Sequence, residues 1–200
     1  MRFYTSDLHL GHTNIIKYCA RPYRSVTHMD DDILTRWNEV VSPNDEVWIL
    51  GDLAMGKLES SLERVARLNG TITLVPGNHD PVWRKHGAKA RRVKGLYKDV
   101  GVKVADDPQY TQLSGQHVEI SHFPFQRGRE GDKFFDWRPT SRGQWLLCGH
   151  VHEKWRQRGR EINVGVDAWG GYPVSQDQLA ALVALGPADL DIIAWESTST

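Results

Sequence analysis

Short apolar runs, each broken off by a polar residue, set the rhythm of the first third of this chain. Residues 2 to 6, Arg2-Phe3-Tyr4-Thr5-Ser6, are β-prone and stop at Asp7. Glu46-Val47-Trp48-Ile49-Leu50 reads as a buried strand that stops at Gly51-Asp52. Thr71 to Val75 reads as a third strand and runs into Pro76-Gly77-Asn78-His79-Asp80. Between the strands the spacing turns helical. Ile33, Leu34, Trp37, Val40 and Val41 share one face, with Asp30 to Asp32 read as a solvated helix start. Leu58, Leu62, Val65 and Leu68 mark a second amphipathic helix, stopped by Asn69-Gly70. Such alternation predicts parallel strands joined by crossover helices.

From about residue 100 the pattern shortens. Val102 to Ala105, Tyr110 to Leu113, His117 to Ser121, Gln144 to Cys148 and Ile162 to Val166 read as short strands with turns between them. Gln178 to Leu185 reads as a last helix ended by Gly186-Pro187, and the end of the chain, 189–200, is expected to fray after the apolar patch Ile192 to Trp195. The fold class expected is α/β, a two-sheet β-sandwich flanked by helices, in one domain over residues 1–200.

Composition narrows the function. Lys plus Arg and Asp plus Glu both number 25, which argues against a surface that is wholly a nucleic-acid footprint. Cys19 and Cys148 are too few for a disulfide framework, and Cys148, inside Trp145-Leu146-Leu147-Cys148, is expected as a buried reduced thiol. No apolar run approaches the length of about 20 residues that spans a bilayer, and the first residues lack the apolar core of a signal peptide. A soluble cytoplasmic protein with no membrane partner is expected.

The chemistry sits where the strands stop. Asp7-Leu8-His9, Gly51-Asp52, Gly77-Asn78-His79-Asp80, Ser121-His122 and Gly149-His150-Val151-His152 each follow an apolar stretch. Ligands gather at the carboxyl ends of strands in open α/β sheets, so distant segments can converge there. Carboxylate and imidazole suit Mn, Fe, Zn or Ni better than Ca. Five such clusters exceed the needs of one ion and match those of two adjacent divalent ions. Asp52 is the candidate bridge, because the preceding glycine lets the backbone approach closely. A water shared by two cations loses its proton near neutral pH and can attack phosphorus. The residues therefore read as a binuclear metal hydrolase of phosphate esters.

The ordered series Asp-x-His, Gly-Asp, Gly-Asn-His-Asp, His and Gly-His-x-His, from residue 7 to residue 152, resembles the calcineurin-like metallophosphoesterase superfamily. The opening Asp-Leu-His-Leu-Gly-His-x-Asn-Ile-Ile and Asn163-Val-Gly-Val-Asp167 resemble a compact bacterial or phage branch. The resemblance implies a four-layer α/β/β/α sandwich. It implies Asp7, His9 and His152 on one ion, Asn78, His122 and His150 on a second, and Asp52 bridging. It gives His79 the stabilisation or protonation of the leaving oxygen and Asp80 the orientation of His79. Two divalent cations are implied as cofactors, Mn2+ foremost, with Fe, Zn, Ni or Mg as alternatives.

Substrate class rests on less. His12 is an extra histidine near the motif, and Arg127, Arg129, Arg156, Arg158 and Arg160 are candidates to hold substrate phosphates; His12 and Arg127 are assigned to substrate binding. The basic run Arg84, Lys85, Lys89, Arg91, Arg92 and Lys94 reads first as a solvated, salt-bridged face and second as a grip on nucleic acid. Phe123, Phe125 and Trp155 read as core packing or as platforms for a base. His28, His86 and His117 read as structural or exposed. The function expected is hydrolysis of phosphodiester bonds in small nucleotides, cyclic nucleotides first. The alternatives are a phosphomonoesterase or protein phosphatase, a nuclease, and a non-catalytic scaffold of the same fold.

Overall fold

The computed structural model describes residues 1–106 and 108–196. Two mixed sheets pack face to face, with helices against the outside of the first. The first sheet is built from β1 (Arg2–Thr5), β2 (Glu46–Ile49), β3 (Thr71–Leu74) and β4 (Val102–Val104), all parallel, with β10 (Val174–Ser175) antiparallel at the β1 edge. The second comprises β5 (Gln109–Leu113), β6 (Gln116–Ile120), β7 (Trp145–Cys148), β8 (Gln157–Gly159), β9 (Glu161–Asn163) and β11 (Ala188–Leu190), in the order β11-β8-β9-β7-β6-β5. Its central strands β6, β7 and β9 run parallel.

The alternation of a strand assigns every second side chain to each face. Phe3, Val47, Ile49, Ile72 and Leu74 pack under α2 (Val26–Val40), α3 (Leu58–Val65) and α4 (Ala88–Asp99). Tyr4, Leu50 and Val75 face the other way, onto Val118, Ile120, Trp145, Leu147 and Ile162 of the second sheet. With both faces buried, β1 to β3 read as continuous apolar runs. A short helix, α1 (Ile15–Tyr18), follows the first motif, and α5 (Gln176–Leu185) closes the intersheet core with Leu179 and Val183.

Several local expectations need correction. The helix expected near Asp30 starts at Val26, because Ser25 caps it by accepting the His28 N–H. The basic run is split: Arg84 and Lys85 lie in the turn Arg84–His86, and Lys89, Arg91, Arg92 and Lys94 lie on α4, where Ala90, Val93, Leu96 and Tyr97 supply an apolar stripe that the charges obscure. None of its cations has a carboxylate partner among the described residues, so the salt-bridged part of that reading fails. The strand expected at 162–166 ends at Asn163, whose Oδ1 accepts the Gly165 N–H and turns the chain. The end is not frayed from 189: β11 pairs with β8 and Ile193 bridges Trp169. Residues 197–200 lie outside the described residues.

Candidate metal centre

Because β1, β2 and β3 are parallel, their carboxyl ends emerge on one edge of the first sheet, and those of β6, β7 and β9 emerge together from the second. The loops that follow meet there. Asp7 is fully buried; its Oδ2 accepts the backbone N–H of His150, while Oδ1 has no hydrogen-bond partner. His9 is 1% exposed and both its ring nitrogens lack partners. Buried polar atoms without partners are costly, so their convergence points to a ligand that completes them. Single donor atoms of Asp7, His9 and His152 lie within 4.8 Å of one another, as do those of Asp7, Asp52 and His122.

Asp7 belongs to both groups, and Asp52 lies between a histidine of each. Its Oδ2 is 3.6 Å from His9 Nε2 and 3.6 Å from His122 Nε2, and its Oδ1 accepts the His79 backbone N–H at 2.9 Å. His122 Nδ1 reaches the Leu50 carbonyl at 2.8 Å, so it carries the proton and leaves Nε2 with a lone pair. That lone pair faces Asn78 Oδ1 at 3.1 Å. A cation between them, or the Asn78 amide turned to donate its NH2, satisfies that contact. The His150 ring lies 5.1 Å from that of His122.

Electrostatics follow from burial. Desolvation lowers His9, His122 and His150, the last to about 2, so these rings are neutral donors. Burial and the charge of Asp7 raise the Asp52 carboxyl. Burial also opposes charge on His152, but Asp7 and the hydrogen bond to Asp167 lift it to about 11. Crowded carboxylates beside neutral imidazoles suit divalent cations, and the donor set fits such ions.

The backbone is strained at these positions. Asp7, His9, Asp52, His150 and His152 all have φ between 50° and 70°, a left-handed conformation that costs non-glycine residues. Hydrogen bonds from buried side chains hold the loops in place. Asp80 is fully buried, and its carboxylate accepts the N–H groups of Asp52, Leu53 and Gly77 at 2.8 to 3.0 Å. The expected contact from Asp80 to the His79 ring is absent among the described residues, because those three amides occupy the carboxylate. Burial and Asp52 push Asp80 up to about 7. Close approach is needed as well: a Cβ on Gly77 would fall onto Asp52 Oδ1 and within 2.8 Å of its backbone nitrogen.

Four residues that the sequence left without a role complete the frame. Arg21, 3% exposed, donates to the Asp7 and Leu8 carbonyls and forms a two-pronged ion pair with Asp167 at 2.8 and 2.9 Å. Asp167 Oδ2 lies 3.0 Å from His152 Nδ1, which leaves Nε2 free as the donor to a metal. Asn163 donates to the His152 and Trp155 carbonyls. Asp30 is no solvated helix start: fully buried, it accepts the Gly11 N–H and pairs with Arg64. The sequence signal for Asp167 and Asn163 was their place in Asn163-Val-Gly-Val-Asp167; Arg21 and Asp30 carried none.

The remaining candidates divide. His79 is exposed on one side, its ring 5.5 Å from that of His9; partial desolvation and the neighbouring histidines lower it to about 4. His12 lies beside His9, with ring centroids 5.3 Å apart, and its Nδ1 has no partner. Arg127 is committed to an ion pair with buried Glu161. Arg129 pairs with Asp136, while Arg156, Arg158 and Arg160 lie over Trp169, Trp155 and Trp145. Phe123, Phe125 and Trp155 are buried and pack, and His28, His86 and His117 are exposed. Both cysteines are buried and free. No described helix is long and apolar enough to cross a membrane.

The calcineurin-like phosphoesterase superfamily domain matches residues 5–169. The gene 66 protein of Mycobacterium phage L5 is 31% identical over 198 residues, covering 90% of this chain and 93% of its own. Protein MJ1445 of Methanocaldococcus jannaschii is 29% identical, covering 90% of each chain. Among solved structures, the protein AQ665 of Aquifex aeolicus superposes with a TM-score of 0.66 at 23% identity, over 91% of this chain and 98% of that one. The two-sheet sandwich is thus common to both.

Proposed function

The chain belongs to the calcineurin-like phosphoesterase superfamily, and from that premise we propose that it hydrolyses phosphodiester bonds of small nucleotides, cyclic nucleotides among them, with two divalent ions. Asp7, His9 and His152 would hold one ion, Asn78, His122 and His150 the other, with Asp52 shared. The observation that carries this reading is Asp52 Oδ2, equidistant at 3.6 Å from a histidine of each set. Mn2+ is the proposed ion, and the cytoplasm the proposed compartment. Bound divalent ions supply Lewis acidity and a water of lowered pKa.

The chain's own residues do the rest. Neutral His9, His122 and His150 offer lone pairs without first losing protons. Asp80 and Asn163 keep the donor loops from relaxing, so little reorganisation is needed when charge builds on the phosphoryl oxygens. His79, held near 4, stays neutral and hydrogen-bonds the leaving oxygen from the mouth of the site.

The test is the metal-reconstituted protein assayed in parallel on a nitrophenyl diester, a nitrophenyl monoester, cyclic nucleotides and single-stranded nucleic acid. Faster turnover of diesters and cyclic nucleotides is expected. Preference for the monoester would overturn the diesterase reading, and strand cleavage with steep salt dependence would replace it with a nuclease. Failure to bind Mn, Fe or Zn would leave the scaffold alternative.

A further inference from the structure

At the His122–His150 end of the site the chain builds a wall that the chemistry above does not use. Two loops supply it: the turn Arg84–His86 after the Asn78–Asp80 corner, and the excursion 121–144 between β6 and β7. Phe123 packs on His122 and His150 at 4.8 and 4.9 Å between ring centroids, and Phe134 stands perpendicular to His150 at 5.4 Å. Trp83 backs Phe123, with Trp137 against it at 4.8 Å. Lys133 Nζ lies 4.8 Å over the Phe134 ring, and Lys85 Nζ lies 5.5 Å from the same ring and 5.2 Å from Trp83.

Lys85 and Lys133 differ in charge balance from the arginines of the excursion, and Arg84, 5.0 Å over Trp137, shares their lack of a carboxylate partner among the described residues. Arg129 and Arg138, in the same excursion, are neutralised by Asp136 and Asp132. Neither Lys85 nor Lys133 has a carboxylate within 4.0 Å among the described residues. Cation–π attraction, weak at exposed sites, favours both ammonium groups near the aromatic wall, Lys133 at Phe134 and Lys85 between Trp83 and Phe134. Positive charge without a carboxylate partner thus lies on the Phe134 side of the wall, one ring away from His150.

We propose that Lys85 and Lys133 form an anion subsite for a second phosphate, adjacent to the scissile one in a nucleotide-derived diester. The proposal rests on the diesterase reading and narrows it. A cyclic mononucleotide carries one phosphate, which the metal centre takes, and leaves both lysines without a partner. A dinucleotide with a terminal phosphate, or a stretch of single strand, supplies the second anion. Lysines that merely solvate the aromatic packing would be indifferent to it.

The experiment compares a plain dinucleotide, the same dinucleotide with a terminal phosphate at either end, and a longer single strand. Each is measured for hydrolysis by the metal-loaded protein. Each is also measured for equilibrium binding by calorimetry, with methylene-phosphonate linkages that resist cleavage. One terminally phosphorylated form is expected to bind about tenfold tighter or more than the plain form, as a charge-assisted contact gives. In Lys85→Met/Lys133→Met that advantage should vanish while the melting temperature is kept, since both side chains are exposed. Equal binding of plain and phosphorylated forms by the wild type, or an advantage that survives in the double variant, would overturn the subsite. A binding advantage without hydrolysis of any diester would strike the diesterase reading and leave the subsite standing. The single strand, against the phosphorylated dinucleotide, identifies which source of second phosphate fits better.

Discussion

Asp52 and His152 are the two donors whose surroundings favour a proton, which a bound ion must displace. Asp52 is raised by burial and by Asp7, and His152 is lifted to about 11 by Asp7 and Asp167 against the cost of burial. His9, His122 and His150 are lowered and release nothing near neutrality. The sign is then fixed. Protons compete with metal at two donors, so rising pH removes the competitor and metal affinity strengthens from pH 6 to 9. Calorimetry of Mn2+ uptake at pH 7 in two buffers of different ionisation enthalpy should show a release of about two protons. No release, with affinity flat across that range, would refute the protonation pattern. Asp167 acts through His152 and not on substrate. Asp167→Asn keeps the shape but loses the charge that fixes the ring's tautomer, and should weaken metal affinity by about 10- to 100-fold. The ion held by His152 should be lost before the one held by His122, which electron paramagnetic resonance of stepwise Mn2+ loading would resolve. Uniform weakening at both positions would reduce Asp167 to a general structural role.

At the scale of elements, the loops after β2 and β3 are tied to one another by buried hydrogen bonds. Asp80, after β3, holds the amides that follow β2, and Gly77 lies where any side chain would strike Asp52. Gly77→Ala should therefore leave secondary structure intact by circular dichroism yet cost metal binding as much as Asp52→Asn does. Wild-type affinity in Gly77→Ala would show that the β2 and β3 loops can part without harm. This interlocking also explains what could be read in advance. The ends of β1, β2 and β3 were legible because apolar runs with both faces buried stop abruptly at Asp7, Gly51 and Pro76. The seven proposed donors could be named because chemistry confines metal ligands of this kind to Asp, Asn and His. The helix α4 was hidden by its own charges, and β8 and β10 by their shortness. The roles of Asp30 and Arg21 depend on partners 19 and 146 positions away, which no local pattern contains. Asp80 was named from the motif, and its three amide partners emerge only once β2 and β3 lie side by side.

For the molecule as a whole, charges balance, and the site gathers many of the buried ones. Acidic and basic residues are equal in number, and Asp7, Asp52, Asp80 and Asp167 are all buried at one junction, where Arg21 and the raised His152 supply positive charge. Donors come from both sheets, so bound ions would clamp the ends of β1, β2 and β3 to those of β6 and β7. Ions that bind only the folded chain stabilise it by mass action, by about 2.7 kcal/mol per ion at a hundredfold excess over Kd. In a chain of this length each kcal/mol moves the melting temperature by roughly 2–4 °C. Saturating Mn2+ should thus raise it by roughly 5–11 °C for one ion and further for the second. The rest of the fold does not depend on that clamp. The intersheet core around Tyr4, Leu50, Trp145 and Leu147, and the helix-covered core around Trp37 and Leu74, contain no donor. Chelation should accordingly lower the melting temperature while unfolding stays cooperative. It should speed hydrogen exchange in the loops at 7–12, 51–54, 76–80 and 149–153, with β1 to β3 and β6 to β7 still protected. A chelated protein that lost protection throughout both sheets would mean that the ions hold the two layers together, and that the site is part of the fold's foundation instead of a fixture mounted on it.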